Sequence, residues 1–263
     1  MSKMTPATSA KPTTSQLLDK IAIVTGAAGG FGAGIARAYI QEGAKVVIAD
    51  INLAMAQELA KALGPNASAV HCDVTNAAQV QAAVQHCVDH FGVPDIVVNN
   101  AGTTHRNQPM LDVDEKTFDR VYAVNVKSLF HMAHAVVPLM RQRKCGVILN
   151  VGSVAGIRPR PGLTWYNSSK GAVNMLSKSM AVELAPDGIR VNVICPVMGA
   201  TALLSDFMGV PDTPENRARF IASIPLGRLC EPADVANVAV FLASDAASFL
   251  TGVEMPVDGG RII

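Results

Sequence analysis

The chain has 263 residues, of which 49% are hydrophobic and 16% charged, and its formal net charge is +1. This length predicts one large domain with a complete core. The balanced charge, without strongly charged runs, excludes the basic surfaces typical of proteins that bind nucleic acids or anionic membranes. No apolar run approaches the roughly 20 residues needed to span a bilayer, so we expect no membrane partner.

The cysteines and the N-terminal composition indicate the compartment. Five cysteines lie far apart without metal-ligand spacing, which predicts free thiols in a reducing compartment and no bound metal. The first fifteen residues are rich in Ser, Thr, Pro and Ala and lack the apolar segment of a secretory signal. We therefore predict a disordered tail over residues 1–18, a single catalytic domain over residues 19–263, and a cytoplasmic location.

Short apolar runs alternate with longer helical patterns along the rest of the chain. Strands are predicted at 21–25, 45–49, 69–72, 95–99, 147–151, 190–194 and 254–257, and helices at 31–41, 53–63, 77–91, 113–142, 165–185 and 232–244. This alternation predicts an α/β fold with a doubly wound, mostly parallel sheet and helices on both faces. Ligands of such sheets bind at the carboxyl ends of the strands.

One segment, residues 202–228, interrupts this alternation. It contains Pro211, Pro214 and Pro225 but no clear strand. Long insertions in compact domains often serve as lids or binding loops, so we predict that it closes over the substrate. A fixed cover packed on the core is the alternative.

A glycine-rich turn lies between the first predicted strand and the first helix. Gly26, Gly30 and Gly32 are explained by a tight turn, a close backbone approach to a pyrophosphate and a helix N-terminus directed at it. Asp50, at the end of the second strand, can accept hydrogen bonds from ribose hydroxyls and would repel a 2′-phosphate. The pattern predicts a dinucleotide cofactor and favours NAD over NADP; purely structural glycines and a solvated aspartate are the alternatives.

Tyr166 and Lys170 lie four residues apart, on one face of a predicted helix. A fixed ammonium beside a phenol lowers the phenol's pKa from its reference value of about 10, so the pair can exchange a proton with an alcohol. Ser153 precedes the tyrosine by thirteen residues and can bond the substrate oxygen as charge develops on it.

Together these residues resemble the short-chain dehydrogenase/reductase family from about residue 20 to the C-terminus. The motifs that carry the resemblance are Thr25-Gly26-x-x-x-Gly30-x-Gly32, Asp73, Asn99-Asn100-Ala101-Gly102, Asn125, Ser153, Tyr166-x-x-x-Lys170 and Val257-Asp258-Gly259-Gly260. The resemblance implies a Rossmann-like sheet, hydride transfer with a nicotinamide cofactor and, commonly, a homotetramer.

The resemblance also implies roles for individual residues. Asn125, Ser153, Tyr166 and Lys170 would be the catalytic residues, with Asn125 holding a water that passes the proton onward from Lys170. Asp73 would contact the adenine. The expected NAD-binding residues are Gly26, Gly30, Phe31, Gly32, Asp50, Asp73, Val74, Asn100, Ala101, Gly102, Tyr166, Lys170, Pro196 and Thr201.

The sequence departs from the family pattern after the sixth strand. The family usually has Pro-Gly followed by Thr, whereas this chain has Pro196-Val197-Met198-Gly199-Ala200-Thr201. We expect Gly199 to take over some of the missing backbone freedom, and Thr201 to keep the spacing for a contact to the nicotinamide amide.

The favoured function is an NAD-dependent dehydrogenase of a secondary alcohol, sugar or polyol, or the reverse reduction of the ketone. Two alternatives remain: a 3-oxoacyl-thioester reductase, against which Asp50 argues, and a catalytically silent NAD-binding protein, against which the intact tetrad argues. Arg158 and Arg160 could bind an anionic substrate group, although solvated loop arginines are commoner. His105 could lie at the rim of the pocket.

Overall fold

The computed structural model describes residues 15–199 and 204–263. Its strands are β1 (Ile21–Thr25), β2 (Lys45–Asp50), β3 (Ala67–His71), β4 (Ile96–Asn99), β5 (Gly146–Val151), β6 (Ile189–Pro196) and β7 (Glu254–Val257). They form one sheet in the order β3-β2-β1-β4-β5-β6-β7, and all neighbouring strands are parallel. Each lies within two residues of its predicted position, because the continuous apolar runs of buried parallel strands are strong signals.

Helices cover both faces of this sheet. They are α1 (Gly30–Gln41), α2 (Leu53–Leu63), α3 (Ala77–His90), α4 (Glu115–Tyr122), α5 (Ser128–Arg143), α6 (Thr164–Leu184), α7 (Leu204–Met208), α8 (Pro214–Ile221) and α9 (Pro232–Ala243). Alternate strand side chains point to opposite faces, so Ala22 and Val24 join the core under α1 and α9, whereas Ile23 joins the core under α3 and α5. The predicted doubly wound, Rossmann-like fold is confirmed.

The strand order reverses between β1 and β4, and a crevice opens there at the carboxyl ends of the strands. The side chain of Asn100, directly after β4, crosses this crevice. Its Nδ2 donates to the carbonyl oxygens of Thr25 and Gly26, both at 2.9 Å. The glycine-rich turn after β1 is therefore fixed to the neighbouring strand at the point where this fold class binds ligands.

The predicted helix over 113–142 is divided. α4 and α5 are separated by a π-helical turn at Ala123–Lys127, which contains Asn125. An apolar pattern continues through such a turn and does not reveal it, whereas π turns frequently occur at functional sites. The π-helical turn therefore indicates that Asn125 belongs to a functional site.

The folded domain starts earlier than residue 19. Leu17 is fully buried in the core beneath α1, and its N–H donates to the carbonyl oxygen of Glu42 at 3.0 Å. The predicted tail boundary at residue 18 is therefore wrong by at least two residues, because polar tail composition obscured a single apolar anchor. Residues 1–14 lie outside the described residues.

The described part of the predicted lid, residues 204–228, holds α7 and α8. Leu204 and Met208 pack with Ile224 and Leu229 in a small separate core. Phe207 contacts the ring of Tyr166 edge to face, with 5.0 Å between ring centroids. This segment therefore covers the carboxyl edge of the sheet beside Tyr166. None of the helices that the structure describes is long and apolar enough to cross a membrane.

Candidate active site

A cavity of about 550 Å³ lies at the carboxyl ends of the central strands. It unites motifs that are far apart in sequence. The predicted site residues in its wall are Gly26, Gly30, Phe31, Asn100, Ala101, Gly102, Ser153, Tyr166, Lys170 and Pro196. The carboxyl-edge rule for doubly wound sheets explains why these residues meet in one cavity.

The glycine-rich turn has the geometry of an anion-binding loop. Gly26 has φ +60°, and a Cβ there would lie 2.7 Å from the Cα of Ala101, so the turn touches the loop after β4. Gly30 has φ +54° and begins α1. No side chain caps this helix, so its first N–H groups have no side-chain acceptor. This helix N-terminus, which Gly29 and Gly30 bring to the cavity wall, suits a pyrophosphate.

Asp50 holds the glycine-rich turn from the side of β2. Its Oδ2 accepts from the N–H of Ala28 at 2.9 Å, and its Oδ1 accepts from the N–H of Asn52 at 2.8 Å. Each carboxylate oxygen keeps acceptor capacity for a ribose hydroxyl. The ion pairs of the described residues do not include Asp50, so its negative charge is available to discriminate against a phosphate.

Other expected cofactor residues lie outside the cavity wall. Asp73 uses its Oδ1 to accept from the N–H and the hydroxyl of Thr75, at 2.9 and 2.8 Å. Val74 is 8% exposed and packs in the core with side chains of α3. Gly32 lies within α1, where a Cβ would be 2.9 Å from the Cα of Ala27, so it serves close packing of helix and turn. Thr201 lies outside the described residues.

Asn125 links the loop after β4 to α6. Its Nδ2 donates to the carbonyl oxygen of Thr103 and to the Oγ of Ser169, both at 2.9 Å, and its Oδ1 accepts from the N–H of Thr103 at 2.8 Å. Both amide hydrogens are used. A water bound by Asn125 therefore has to donate a hydrogen bond to the side-chain or main-chain oxygen of this residue. The proton-relay role that the family resemblance implies for Asn125 is restricted to a water in that orientation.

Tyr166, Ser153 and Lys170 are all at least nine-tenths buried. Ser153 lies close enough to Tyr166 to influence the pKa of its phenol, and the Oγ of Ser153 accepts from the N–H of Ala155 at 3.1 Å. The Nζ of Lys170 donates to the carbonyl oxygen of Val151 at 2.8 Å. The structure thus brings phenol, hydroxyl and ammonium groups together as the sequence predicted.

The pKa values differ from the expectation. Burial raises the pKa of Tyr166 to about 12, although the nearby Ser153 acts in the opposite direction. Burial also lowers the pKa of Lys170 to about 8. The sequence-based argument expected Lys170 to lower the pKa of the phenol. In the protein alone, loss of hydration dominates, and the positive charge that acts to lower the pKa is that of Arg160.

The segment after β6 shows why Gly199 is present. Its φ is not in the left-handed region, so the expected compensation through backbone freedom is wrong. A Cβ at this position would lie 2.8 Å from the Cε1 of Phe31. Gly199 is needed because the Phe31 ring approaches the backbone closely, while Val197 continues the pairing with β7 by donating to the carbonyl oxygen of Val257 at 3.1 Å.

The cavity also contains residues that sequence reasoning left open or missed. Arg158 and Arg160 do line it, and so do Arg219 and Arg261, which the motifs did not indicate. Arg261 directly follows β7, so the carboxyl-edge rule could have found it. His105 is not at the rim: it is 2% exposed and its Nδ1 lies 2.8 Å from the carbonyl oxygen of Arg106.

Comparison with known proteins agrees with this geometry. A family model described as Enoyl-(Acyl carrier protein) reductase matches residues 26–261. The chain is 51% identical over 252 residues to 4-formylbenzenesulfonate dehydrogenase TsaC1/TsaC2 of Comamonas testosteroni, covering 93% of this chain and 98% of the relative. It is 39% identical over 254 residues to galactitol 2-dehydrogenase of Agrobacterium fabrum, covering 94% and 98%.

A solved structure is similar over nearly the whole chain. The crystal structure of 3-ketoacyl-(acyl-carrier-protein) reductase from Brucella melitensis, complexed with NADH, matches with a TM-score of 0.89 and 44% identity, covering 94% of this chain and 100% of that chain. The protein is an oxidoreductase that transfers a hydride between a nicotinamide cofactor and an alcohol or carbonyl group. By its family match, its relatives and its fold, the chain belongs to the short-chain dehydrogenase/reductase family.

Proposed function

We propose that the protein works as a dehydrogenase in which Tyr166 takes the hydroxyl proton of the substrate alcohol. The observation that carries this proposal is the convergence of Tyr166, Ser153 and Lys170 in one cavity with the glycine-rich turn. The bound nicotinamide supplies the hydride acceptor. The protein positions the carbinol carbon of the substrate and sets the electrostatic field around it.

Each polar group has a separate task. The turn around Gly26 and the N-terminus of α1 hold the pyrophosphate, and Lys170 holds the nicotinamide ribose. Ser153 donates to the carbonyl oxygen of Pro196 at 3.4 Å, a long hydrogen bond that is readily exchanged for one to the substrate oxygen. Tyr166 is protonated at neutral pH in the protein alone, so the positive charge of the oxidised cofactor has to favour its phenolate before oxidation.

The cover formed by residues 204–228 excludes water from this site. Phe207 lies against Tyr166 and lines the cavity. We propose that the cover opens for substrate exchange, as the proline-rich insertion indicated. Its apolar face would keep water from the path of the hydride.

The direct test supplies NAD with a panel of secondary alcohols and follows the absorbance of the reduced nicotinamide. The panel runs from polyols, the substrate class named for one relative, to 1-arylethanols, whose aromatic body matches the aryl aldehyde named for the other. A second candidate is 3-oxoacyl-thioester reduction, which the solved reductase favours. Turnover of a β-ketoacyl thioester, with no alcohol oxidised, would replace the first proposal by the second.

Cofactor preference should depend on Asp50. We expect kcat/KM with NAD to exceed that with NADP at least about 100-fold, because a carboxylate repels the 2′-phosphate. Asp50→Asn keeps one oxygen to accept from Ala28 and removes the charge, so it should narrow the preference about tenfold, which corresponds to about 1.4 kcal/mol. Glu58→Gln, on the exposed face of α2, is the control and should change nothing. Preference for NADP in the unmodified protein would refute the assignment.

We propose a homotetramer as the assembly. Phe130 on α5 and Met175 and Val182 on α6 are large apolar side chains that are 57%, 62% and 81% exposed. Light scattering at micromolar concentration should give four times the chain mass of 27.5 kDa. Val182→Glu should reduce that mass because it places charges in the interface, whereas Leu111→Glu, equally exposed but on another surface, should not. A monomer in the unmodified protein would contradict the proposal.

We also propose a cytoplasmic location. All five cysteines are free, and four of them are buried. Free thiols persist where the compartment is reducing.

A further inference from the structure

Four arginines line one end of the cavity. Arg158 and Arg160 follow β5, Arg219 lies on α8, and Arg261 follows β7. Among the described residues that line the cavity there is no Asp or Glu. With Lys170, the described cavity wall as a whole carries five basic side chains and no acidic one.

Four of the eight arginines elsewhere in the described chain form ion pairs with carboxylates, whereas Arg37, Arg106, Arg120 and Arg190 do not. These ion pairs are Arg141–Asp187, Arg143–Asp95, Arg217–Asp212 and Arg228–Asp234. None of the four cavity arginines forms such a pair with a described residue. Asp258, the nearest acid in sequence to Arg261, instead accepts from the N–H groups of Gly260 and Ile262, both at 3.0 Å.

Two contacts hold three of these arginines in place without compensating the positive charge. Nη1 of Arg158 donates to the carbonyl oxygen of Arg261 at 3.0 Å. The guanidinium of Arg160 lies over the ring of Phe220, with 4.8 Å from Cζ to the ring centroid. Burial and the nearby charge of Arg261 lower the pKa of Arg160. Arg160 and Arg261 are partly buried, whereas Arg158 and Arg219 are exposed. Two like charges in a partly buried place are costly unless an anion joins them.

The cofactor's pyrophosphate does not explain this charge. It belongs at the N-terminus of α1, directly after β1, whereas the arginines follow β5, β6 and β7. β7 lies four strand spacings from β1, which is about 19 Å at about 4.8 Å per spacing. The arginines instead lie on the side of Tyr166, whose phenol is close enough to affect the pKa of Arg160.

Apolar side chains fill the wall around the arginines. Leu163 and Phe207 form one small core with Tyr166, and Phe220 and Ile224 continue the wall from the cover segment. Such a wall accommodates an apolar or aromatic body. Arginine guanidinium groups bind planar carboxylates and other oxyanions through paired hydrogen bonds.

We propose that the substrate alcohol of this enzyme ends in an anionic group, a sulfonate or a carboxylate, joined to the carbinol by an apolar body. Arg160 and Arg219, supported by Arg158 and Arg261, bind the oxyanion while the carbinol lies at Tyr166. This inference rests on the proposed function. It identifies the four arginines as specificity-determining residues.

The test uses substrate pairs that differ in charge and hardly in shape. 1-(4-Sulfophenyl)ethanol is compared with 1-(4-sulfamoylphenyl)ethanol, and 4-(1-hydroxyethyl)benzoate with the corresponding benzamide. We expect kcat/KM for at least one anion to exceed that of its neutral partner about 10- to 100-fold, because hydrogen bonds to a charged group are stronger than those to a neutral group. The two pairs also distinguish sulfonate from carboxylate.

Variants locate the effect. Arg160→Gln and Arg219→Gln should each lower kcat/KM for the preferred anion about tenfold, with the neutral partner unchanged within about twofold. Arg217→Gln is the matched control: it lies on the same helix, is exposed, pairs with Asp212 and does not line the cavity. It should leave the ratio of the two substrates unchanged.

Calorimetry separates this inference from the proposed function. The ketones 4-acetylbenzenesulfonate and 4-acetylbenzenesulfonamide, and likewise 4-acetylbenzoate and 4-acetylbenzamide, are titrated into the protein with NAD, so no turnover is involved. Tighter binding of an anionic ketone supports the inference even if no alcohol is oxidised, in which case only the proposed function fails. Turnover of neutral and anionic alcohols at equal rates, with equal binding of the ketones or none, overturns the inference and leaves the dehydrogenase assignment intact.

Discussion

Replacing Tyr166 with Phe is expected to lower kcat for alcohol oxidation by about 10²- to 10⁴-fold, the usual contribution of a positioned proton-transfer group. The ring remains, and with it the contact to Phe207, so the cavity should keep its shape. The variant should therefore bind NADH with an affinity within about twofold of the parent, since the lost hydroxyl is one of many contacts. Steady-state kinetics and fluorescence titration with NADH measure the two quantities.

Tyr122→Phe provides the control for this experiment. The hydroxyl of Tyr122 donates to the Oγ of Ser168 at 2.9 Å, and the residue does not line the cavity. The substitution removes a phenolic hydroxyl near α6 and leaves the proposed path of the proton unchanged. Equal activity of Tyr166→Phe and the parent would show that another group transfers the proton.

Replacing Lys170 with Met should abolish most activity and yet stabilise the fold at neutral pH. Burial lowers the pKa of Lys170 from 10.5 to about 8 in the folded protein. Below pH 8 the lysine is charged in both folded and unfolded states, and the folded state carries the full cost of burying the ammonium. That cost is up to about 3 kcal/mol, from about 1.4 kcal/mol per pKa unit, and loss of the hydrogen bond to Val151 offsets about 1 kcal/mol.

The pH dependence of this difference identifies its cause. As pH rises from about 8 towards 10.5, the folded protein loses its proton before the unfolded chain does, so the cost disappears and the advantage of Lys170→Met should vanish. Urea denaturation of both proteins across this range measures it. Lys178→Met, on the same helix but with an exposed ion pair to Glu254, should show no such stabilisation. A variant less stable than the parent at pH 7 would mean that Lys170 is held favourably as an ammonium.

The sequence predicted the sheet and most of the cavity for a clear reason. Strand ends of a parallel sheet meet at one edge, so Gly26, Asn100, Ser153 and Pro196 had to approach one another once their strands were placed. The burial of Leu17 and the π turn at Ala123–Lys127 could not be predicted, because neither produces a periodic pattern of apolar residues. Both are decided by tertiary packing.

The electrostatics of the site could be predicted less well. The spacing of Tyr166 and Lys170 gave the attraction between them but not the loss of hydration, which has the opposite effect on the phenol. Arg219 lies in a segment without a motif, and Arg261 follows a motif that does not itself indicate an arginine. They line the same cavity as Arg160 because α8 and the chain after β7 return to the same edge of the sheet.

The hydrogen bond between Asp50 and Ala28 has a consequence for redesign of the enzyme. The carboxylate that we propose selects the cofactor also fixes the turn that we propose receives the pyrophosphate. Exchanging Asp50 for a basic residue to admit NADP would therefore release the N–H of Ala28 and loosen the loop on which both cofactors depend. A successful conversion has to keep a hydrogen-bond acceptor at position 50 and place the new positive charge on a neighbour such as the exposed Ile51. A substitution at position 50 therefore changes both the cofactor preference and the rigidity of the glycine-rich turn.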